Sequence, residues 1–483
     1  MTDPNVLVLV MDTARFGDIR ETPTEAIDSV AEEGTDFTNA SANAPWSLPS
    51  HASMFTGQYS SRHGAHATHK QLDESKATLA ELFSENGYET VGVSNNTWIS
   101  GEFGFARGFE TFYKTWQYVQ SDTDLGGIAR TTEGIDQLRS LAGRLTDGNP
   151  VTNLINTVYG KFLRRHSDDG ARQTTEWLAD WLDEREDSRS FFCFVNYLEP
   201  HLEYRPPEEF AERFLPEGVS YEEAMEVPQD AWGYIAGEVE MGERDFEVLR
   251  ALYRAEIAYL DERIGELREA LEESGEWEDT VVVITGDHGE NIGDHGLMDH
   301  QYCLYETLLH VPMVVSGGAF DGGGEDDRLV QLTDLAPTLL DAAGIEAPEA
   351  RERFQGVSFH PDSDETREHA IAEYMGPQPS MEALEKRVGT VPDSVREFDR
   401  SLRSIRDSEH KLVRGSDGLR ELYHLGDDPD EERDLADERP DVASELGAEL
   451  DDWLDSFERH DASGSVSMSQ STQDRLEDLG YLQ

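Results

Sequence analysis

Hydrophobic positions along the chain fall into two kinds of run. Asn5 to Met11 (NVLVLVM) and Thr280 to Ile284 (TVVVI) are continuous apolar stretches with polar flanks. That pattern predicts parallel strands covered on both faces, because a strand with one wet face would alternate. Phe246 to Leu271 instead repeats its apolar positions at helical spacing and predicts an amphipathic helix. Strands and helices alternate in this way from Met1 to about Ile345, which predicts one α/β domain with a mostly parallel sheet flanked by helices (residues 1–345). From about Glu346 to Gln483 (residues 346–483) a smaller α+β subdomain is predicted, with HKLVRG and ELYHL forming a hairpin around the turn GSDG. Tyr118 to Ser167 and Pro206 to Glu243 carry few strand signals and read as excursions over a site, with Trp116, Trp232 and Tyr234 available to roof a pocket. The acidic, glycine-rich run Gly317 to Asp327 reads as a surface loop, and the serine-rich Asp461 to Asp474 as a mobile tail.

The polar residues that close the apolar runs carry the chemistry. Asp12 follows the first run, and Asp287 with His288 follow the second in TGDHGENIGDHGLMDH. In open α/β sheets ligands collect beyond the carboxyl ends of the strands. Carboxylate oxygen and imidazole nitrogen suit a divalent ion that must also hold a substrate oxygen, and Gly286 and Gly289 let the backbone turn tightly around them. In APWSLPSHASMFTG, Ser47 stands two residues ahead of Pro49 at the start of a small-residue helix. Proline is tolerated in a first helical turn, where the free amides and the positive dipole end face an anion or an ionised serine. A lone Ser-Pro is an ordinary helix start. Combined with two strand-end acids in one α/β chain, it predicts a nucleophilic oxygen aimed at a metal-bound oxyanion.

These segments resemble the sulfatase family of the alkaline phosphatase superfamily. The likeness runs along nearly the whole chain, through NVLVLVMDTAR, SLPSHASMFTGQYSSRHG, TLAELFSENGYETVGVSNN, NYLEPHLEYRPP, ITGDHGENIGDHG, LTDLAPTLLDAAGI, HKLVRGSDGLRELYHLGDDPDEERDLA and the final LGYL. It implies an alkaline-phosphatase-like sheet in which Asp12, Asp287 and His288 hold one divalent metal, calcium or magnesium first, with manganese or zinc as in relatives. It also implies that Ser47 is the nucleophile and that His201, in EPHLEYRPP, meets the ester or its leaving group and works as a general acid.

The departures matter as much. Family hydrolases carry cysteine or serine in a (C/S)xPxR motif, oxidised to formylglycine; here the residue is Ser47 and the arginine position is His51, so the maturation signal is incomplete. Asp12 is followed by Thr13 where a second acid is usual. Lysines that clamp sulfate in the family are replaced by Asn95 and Asn96 in one segment and by His300 or Gln301 in another. The anion would then be held by His51, Asn95, Asn96, His300, the helix end and the metal. A sulfate ester on unmodified serine is slow to hydrolyse, whereas formylglycine hydrate expels sulfate from a geminal diol; a phosphoserine meets no such trap. Three readings stay open: a hydrolase of sulfate esters; a phosphodiesterase, phosphatase or phosphoryl-type transferase using Ser47 as it stands; and a non-catalytic binder of an anionic glycan or metabolite. The expected partner is a small-molecule or glycan sulfate or phosphate ester.

Composition narrows the setting. With 101 Asp+Glu against 40 Lys+Arg the net charge is −61, which excludes nucleic acid and anionic membranes as partners. Six of the basic residues are lysine, and 37% of all residues are hydrophobic, so the acidity reads as that of a halophile's globular cytosolic enzyme and not of a disordered chain. The chain shows no signal-peptide pattern and no apolar run long enough to span a membrane, so cytoplasmic residence is expected. Cys193 and Cys303, in FFCFV and YCLYE, read as buried thiols with their pairing left open. Self-repulsion becomes long-ranged as the Debye length grows from about 3 Å in molar salt to about 10 Å at 0.1 M. The melting temperature should therefore fall steeply as salt drops from molar to tens of millimolar, with Mg²⁺ partly protecting; a melting temperature indifferent to salt would refute the halophilic reading.

Overall fold

The computed structural model describes residues 3–115 and 168–460. Trp116, the excursion Tyr118 to Ser167, the tail Asp461 to Asp474 and the final LGYL lie outside the described residues. In chain order the strands are β1 (Asn5–Met11), β2 (Thr35–Phe37), β3 (Ala40–Ser41), β4 (Glu89–Ser94), β5 (Thr111–Lys114), β6 (Phe191–Tyr197), β7 (Thr280–Gly286), β8 (Asn291–Ile292), β9 (Met298–Asp299), β10 (Met313–Ser316), β11 (Gly324–Asp326) and β12 (Val330–Gln331). Eight of them form the main sheet in the order β11-β2-β10-β7-β1-β6-β4-β5. The two apolar runs lie at its centre: β1 pairs in parallel with β6 on one side and β7 on the other, and every residue of β1 is buried.

Alternation along β6 shows why both faces need cover. Phe192 stacks on Phe83 at 4.5 Å and Phe194 meets Phe55 at 4.8 Å, on the side of helices Leu79–Glu85 and Ser47–Thr56. Phe191 meets Trp181 at 5.3 Å, on the side of helix Ala171–Glu184. That helix and Glu25–Glu33 pack against the long helix Glu243–Ser274, which contains the predicted amphipathic stretch. The sheet is thus mostly parallel and flanked by helices, and only β10 runs antiparallel to its neighbours β7 and β2.

Two expectations need correction. Gly317 to Asp327 is not all surface loop: Gly324–Asp326 pairs in parallel with β2 as an edge strand, and Phe320 is fully buried. An edge strand can be held by backbone hydrogen bonds alone, here beginning with Gly324 N–H to Gly34 O at 3.0 Å, so it leaves no hydrophobic pattern to read. Trp232 does not roof a pocket but is buried in the core. Tyr234 does line an open groove of about 580 Å³, with Ile235, Leu297 and Phe398. Cys193 and Cys303 are buried free thiols. Among the described residues no helix is long and apolar enough to cross a membrane.

A second, antiparallel sheet comprises β13 (Ala370–Tyr374), β14 (Leu402–Arg406), β15 (His410–Gly415) and β16 (Arg420–His424), in that order. The predicted hairpin is β15–β16, with Arg414 opposite Arg420. This sheet is tied to the main body by buried charge. Lys411 is fully buried and pairs with Glu306 at 3.0 Å and Glu431 at 2.6 Å, while Arg406 takes the other oxygen of Glu306 at 2.6 Å. Burial would raise Glu306, but Arg406 and Lys411 hold it down at about 2. Glu306 starts the short helix Glu306–Leu309, whose Leu308 carbonyl accepts the Gly289 N–H at 2.8 Å. Removing one partner of a buried ion network leaves charge uncompensated, at about 3–5 kcal/mol. Lys411→Met should therefore lower the melting temperature sharply, and adding Glu431→Gln should restore part of the loss; equal melting of Lys411→Met and wild type would show that the network carries no stability.

Candidate functional site

Strand register builds the site. Met11 pairs with Gly286, so the next residues, Asp12 and Asp287, emerge side by side from the carboxyl ends of β1 and β7. On the other flank Val10 and Ser94 both pair with Asn196 of β6, which brings Asn96, just past β4, to the same spot. Ser47 opens helix Ser47–Thr56 after an extended Trp46 whose ring is held edge-on by Trp98 at 5.6 Å. Its Oγ lies 3.4 Å from Asp12 Oδ1, 3.3 Å from His288 Nε2 and 3.1 Å from Asn96 Nδ2. Ser47 is 1% exposed, and Asp12, Asn96, Asp287 and His288 have no exposure at all.

Each ligand atom is aimed by a second bond. Asp12 Oδ2 accepts hydrogen bonds from Asn96 Nδ2 (2.6 Å) and Asn196 Nδ2 (3.3 Å), leaving Oδ1 toward Ser47. The amide of Asn96 is oriented in turn, because its Oδ1 accepts the Trp98 N–H at 2.9 Å. Asp287 Oδ1 accepts the N–H groups of Thr13 (3.1 Å) and His288 (2.9 Å), while its Oδ2 accepts no hydrogen bond. Thr13, standing where a second acid was expected, takes a left-handed conformation (φ 63°) that turns its N–H onto Asp287. His288 Nδ1 donates to Gly289 O at 2.9 Å, so the Nε2 lone pair faces Ser47 and the carboxylates.

These donors fit a divalent cation. One atom each from Asp12, Asp287 and His288 lies within 4.8 Å of the others, all three residues buried. Burial first, then the Asp12 carboxylate, pushes Asp287 well above the carboxylate range. Burial, then His300, pushes His288 well below the imidazole range, so it stays a neutral ligand. Two buried carboxylates with an unpartnered oxygen and a free imidazole lone pair are what a hard-to-borderline cation balances.

The other expected residues divide. His51 is fully buried behind Asp287: its Nδ1 donates to Ser47 O at 2.9 Å and lies 3.4 Å from Asp287 Oδ2. Burial lowers it to about 4, against the pull of Asp12, so it lies against the Asp287 carboxylate as a neutral ring and supplies no cation in the arginine's place. Asn95 is not brought to the cluster; its Oδ1 accepts from Thr174 Oγ1 at 2.9 Å because successive side chains past β4 point to opposite sides. His201 and His300 reach the site as a chain of rings, His201 on His300 at 5.2 Å and His300 on His288 at 4.5 Å. Burial would lower His300, but Asp299 and Glu290 outweigh it and hold His300 well above the imidazole range. Asn196, Glu290 and Asp299 were not anticipated. Asn196 could have been found, as a polar residue near the end of an apolar run like Asp12. Ser50 lends the Asp287 carbonyl a hydrogen bond at 2.6 Å.

Comparison with known proteins matches residues 4–345 to the sulfatase family model. Arylsulfatase K of Bos taurus is 25% identical over 480 residues, covering 92% of this chain and 81% of its own. Among solved structures, a 2-O GAG sulfatase superposes with a TM-score of 0.67 at 20% identity, covering 95% of each chain. The phosphonate monoester hydrolase of Agrobacterium radiobacter does so with a TM-score of 0.67 at 20% identity, covering 94% of this chain and 95% of its own.

The two adjacent asparagines separate the roles. Partners that orient metal ligands are worth about 10–100-fold in affinity. Asn96→Ala should weaken divalent-cation binding by that factor in calorimetric titration, while Asn95→Ala should leave it unchanged; equal effects would refute the assignment of Asn96 to Asp12.

Proposed function

The chain belongs to the sulfatase family, and from that premise we propose that it hydrolyses sulfate esters at position 47, with Ser47 matured to formylglycine and a divalent cation held by Asp12, Asp287 and His288. The carrying observation is the placing of Ser47 Oγ within 3.4 Å of two cation-ligand atoms, at a helix N-terminus. When bound, the cation supplies Lewis acidity to the ester oxygen and lowers the cost of an ionised nucleophile. The chain's own residues do the rest. Asn96 Nδ2 donates to Oγ of residue 47 and would steady the charge on that oxygen as it attacks sulfur, after which the second hydroxyl of the formylglycine hydrate expels sulfate. The positive end of the ten-residue helix favours the same anion. His201, on the far side of His300, is the group proposed to protonate the leaving oxygen. Burial of the cluster excludes bulk water, so these dipoles act at low dielectric. The names of the relatives, an arylsulfatase and a 2-O GAG sulfatase, support an aryl or glycan sulfate as the substrate class. The acid surplus supports an enzyme that works in molar salt.

A second reading, hydrolysis or transfer of phosphate or phosphonate esters by unmodified Ser47, is favoured by two observations. The arginine of the formylglycine motif is replaced by His51, which is buried behind Asp287, and the fold is shared with a phosphonate monoester hydrolase. Turnover of 4-nitrophenyl sulfate, 4-nitrophenyl phosphate and a phenylphosphonate ester, in molar salt with and without Ca²⁺, Mg²⁺ or Mn²⁺, separates the two. Sulfate turnover, with a formylglycine mass on the residue-47 peptide, is the expected result; phosphate turnover on intact serine would transfer the assignment to the second reading. Ser47→Ala should lower turnover by about three orders of magnitude, with Ser50→Ala and Ser53→Ala within about tenfold of wild type. A covalent adduct on Ser50, Ser53 or Thr13 would refute Ser47 as the nucleophile.

A further inference from the structure

The ribbon that follows Asp287 and His288 carries a second constellation. Strands β8 and β9 pair Asn291 with Asp299 and Ile292 with Met298, and continuing that register sets Glu290 across from His300. Asn291 Nδ2 pins the arrangement by donating to Asp299 O at 3.1 Å. We infer that Glu290, Asp299 and His300 form a second divalent-cation site adjoining the first. Each offers one ligand atom within 4.8 Å of the other two, and all three are buried.

Hydrogen bonding alone leaves this cluster unbalanced. His300 Nδ1 lies 2.6 Å from Asp299 Oδ1 and 3.3 Å from Glu290 Oε1, so two carboxylates compete for one nitrogen. Gln301 Nε2 donates to Asp299 Oδ2. Glu290 Oε2 and Gln301 Oε1 are then left as buried acceptors without a donor, in residues 0% and 3% exposed. Buried acceptors are rarely left unmet. A cation that displaces the His300 proton would be held by both carboxylates and the imidazole and would give Glu290 Oε2 its partner, and a mixed oxygen and nitrogen donor set suits Mn²⁺ or Zn²⁺. The His300 ring lies 4.5 Å from the His288 ring, so the two candidate sites adjoin.

The test is metal stoichiometry, which needs no turnover. Chelator-stripped full-length protein is titrated with Mn²⁺ in molar salt, with bound metal counted by elemental analysis and the ions' coupling read by electron paramagnetic resonance. Wild type should bind two Mn²⁺ per chain with a spin-coupled spectrum. Glu290→Gln and Asp299→Asn should each bind one, with the hyperfine pattern of an isolated ion, and Asp287→Asn should keep one at the other site. Wild-type binding of a single ion that Glu290→Gln leaves untouched would overturn the inference and make His300 the charge that balances both carboxylates. Because the wild-type count decides, an unfolded variant does not rescue the proposal. Retention of one ion in Glu290→Gln that Asp287→Asn abolishes would keep the first site whatever the fate of the second.

Discussion

Everything at the centre of this molecule follows from one constraint: two parallel strands end in register, and each hands a carboxylate to the same dry spot. Asp12 and Asp287 cannot spread apart, because Met11 and Gly286 are paired neighbours in the middle of the sheet. Like charges so placed cannot both ionise without a compensating cation. Every nearby group serves that problem. Two side-chain amides satisfy one oxygen of Asp12, and two backbone amides satisfy one oxygen of Asp287. The remaining oxygens face His288 Nε2 and Ser47 Oγ. A binding site for a cation and a reactive hydroxyl are therefore one arrangement, not two features that happen to meet.

What the sequence made legible was whatever the sheet makes periodic. Buried parallel strands demand continuous apolar runs, so β1 and β7 could be read directly, and with them the polar residues that close each run, Asp12 and Asp287. Ser47 was readable because proline marks a first helical turn. The same logic stops where periodicity stops. Asn95 and Asn96 are equivalent in sequence; only the pleat of β4 decides that Asn96 faces Asp12 and Asn95 faces Thr174. Glu290 and Asp299 are brought together by a ribbon of two residues per strand, too short for any hydrophobic pattern, and β11 is an edge strand of three largely exposed residues. His51 was expected to grip an anion because it occupies an arginine's place. A helix interior position, four residues after Ser47, instead folds its Nδ1 back onto the Ser47 carbonyl.

The departures from the usual family pattern bear on the charge of the pocket. Where the resemblance leads to the expectation of a second acid, an arginine and lysines, the chain has Thr13, His51, Asn95 and Asn96, and His300 or Gln301. Thr13 and the asparagines carry no charge and burial keeps His51 neutral, whereas Asp299 and Glu290 hold His300 well above the imidazole range. Under the proposed function, the charge that a transferred anion meets would come from the helix end and from the cation that Asp12, Asp287 and His288 would hold. The electrostatics of the pocket thereby rest on titratable and hydrogen-bonding groups and, under the proposed function, on the cation they would hold.

That reliance places weight on the loop Asp287 to Gln301, and the small antiparallel sheet is what holds it. Gly289 is the hinge of the contact: a Cβ there would stand 2.0 Å from the Thr307 carbonyl oxygen, so only glycine lets the loop close onto helix Glu306–Leu309. The same closure delivers the Gly289 carbonyl to His288 Nδ1 and so chooses the tautomer. The helix is fixed from behind by Lys411 and Arg406, which belong to the second sheet. A chain of contacts thus runs from β15 through Lys411, Glu306, Leu308 and Gly289 to the imidazole that faces Ser47. The peripheral sheet thus backs the segment that carries His288, a candidate metal ligand, through the Lys411–Glu306 pair and the Gly289–Leu308 hydrogen bond.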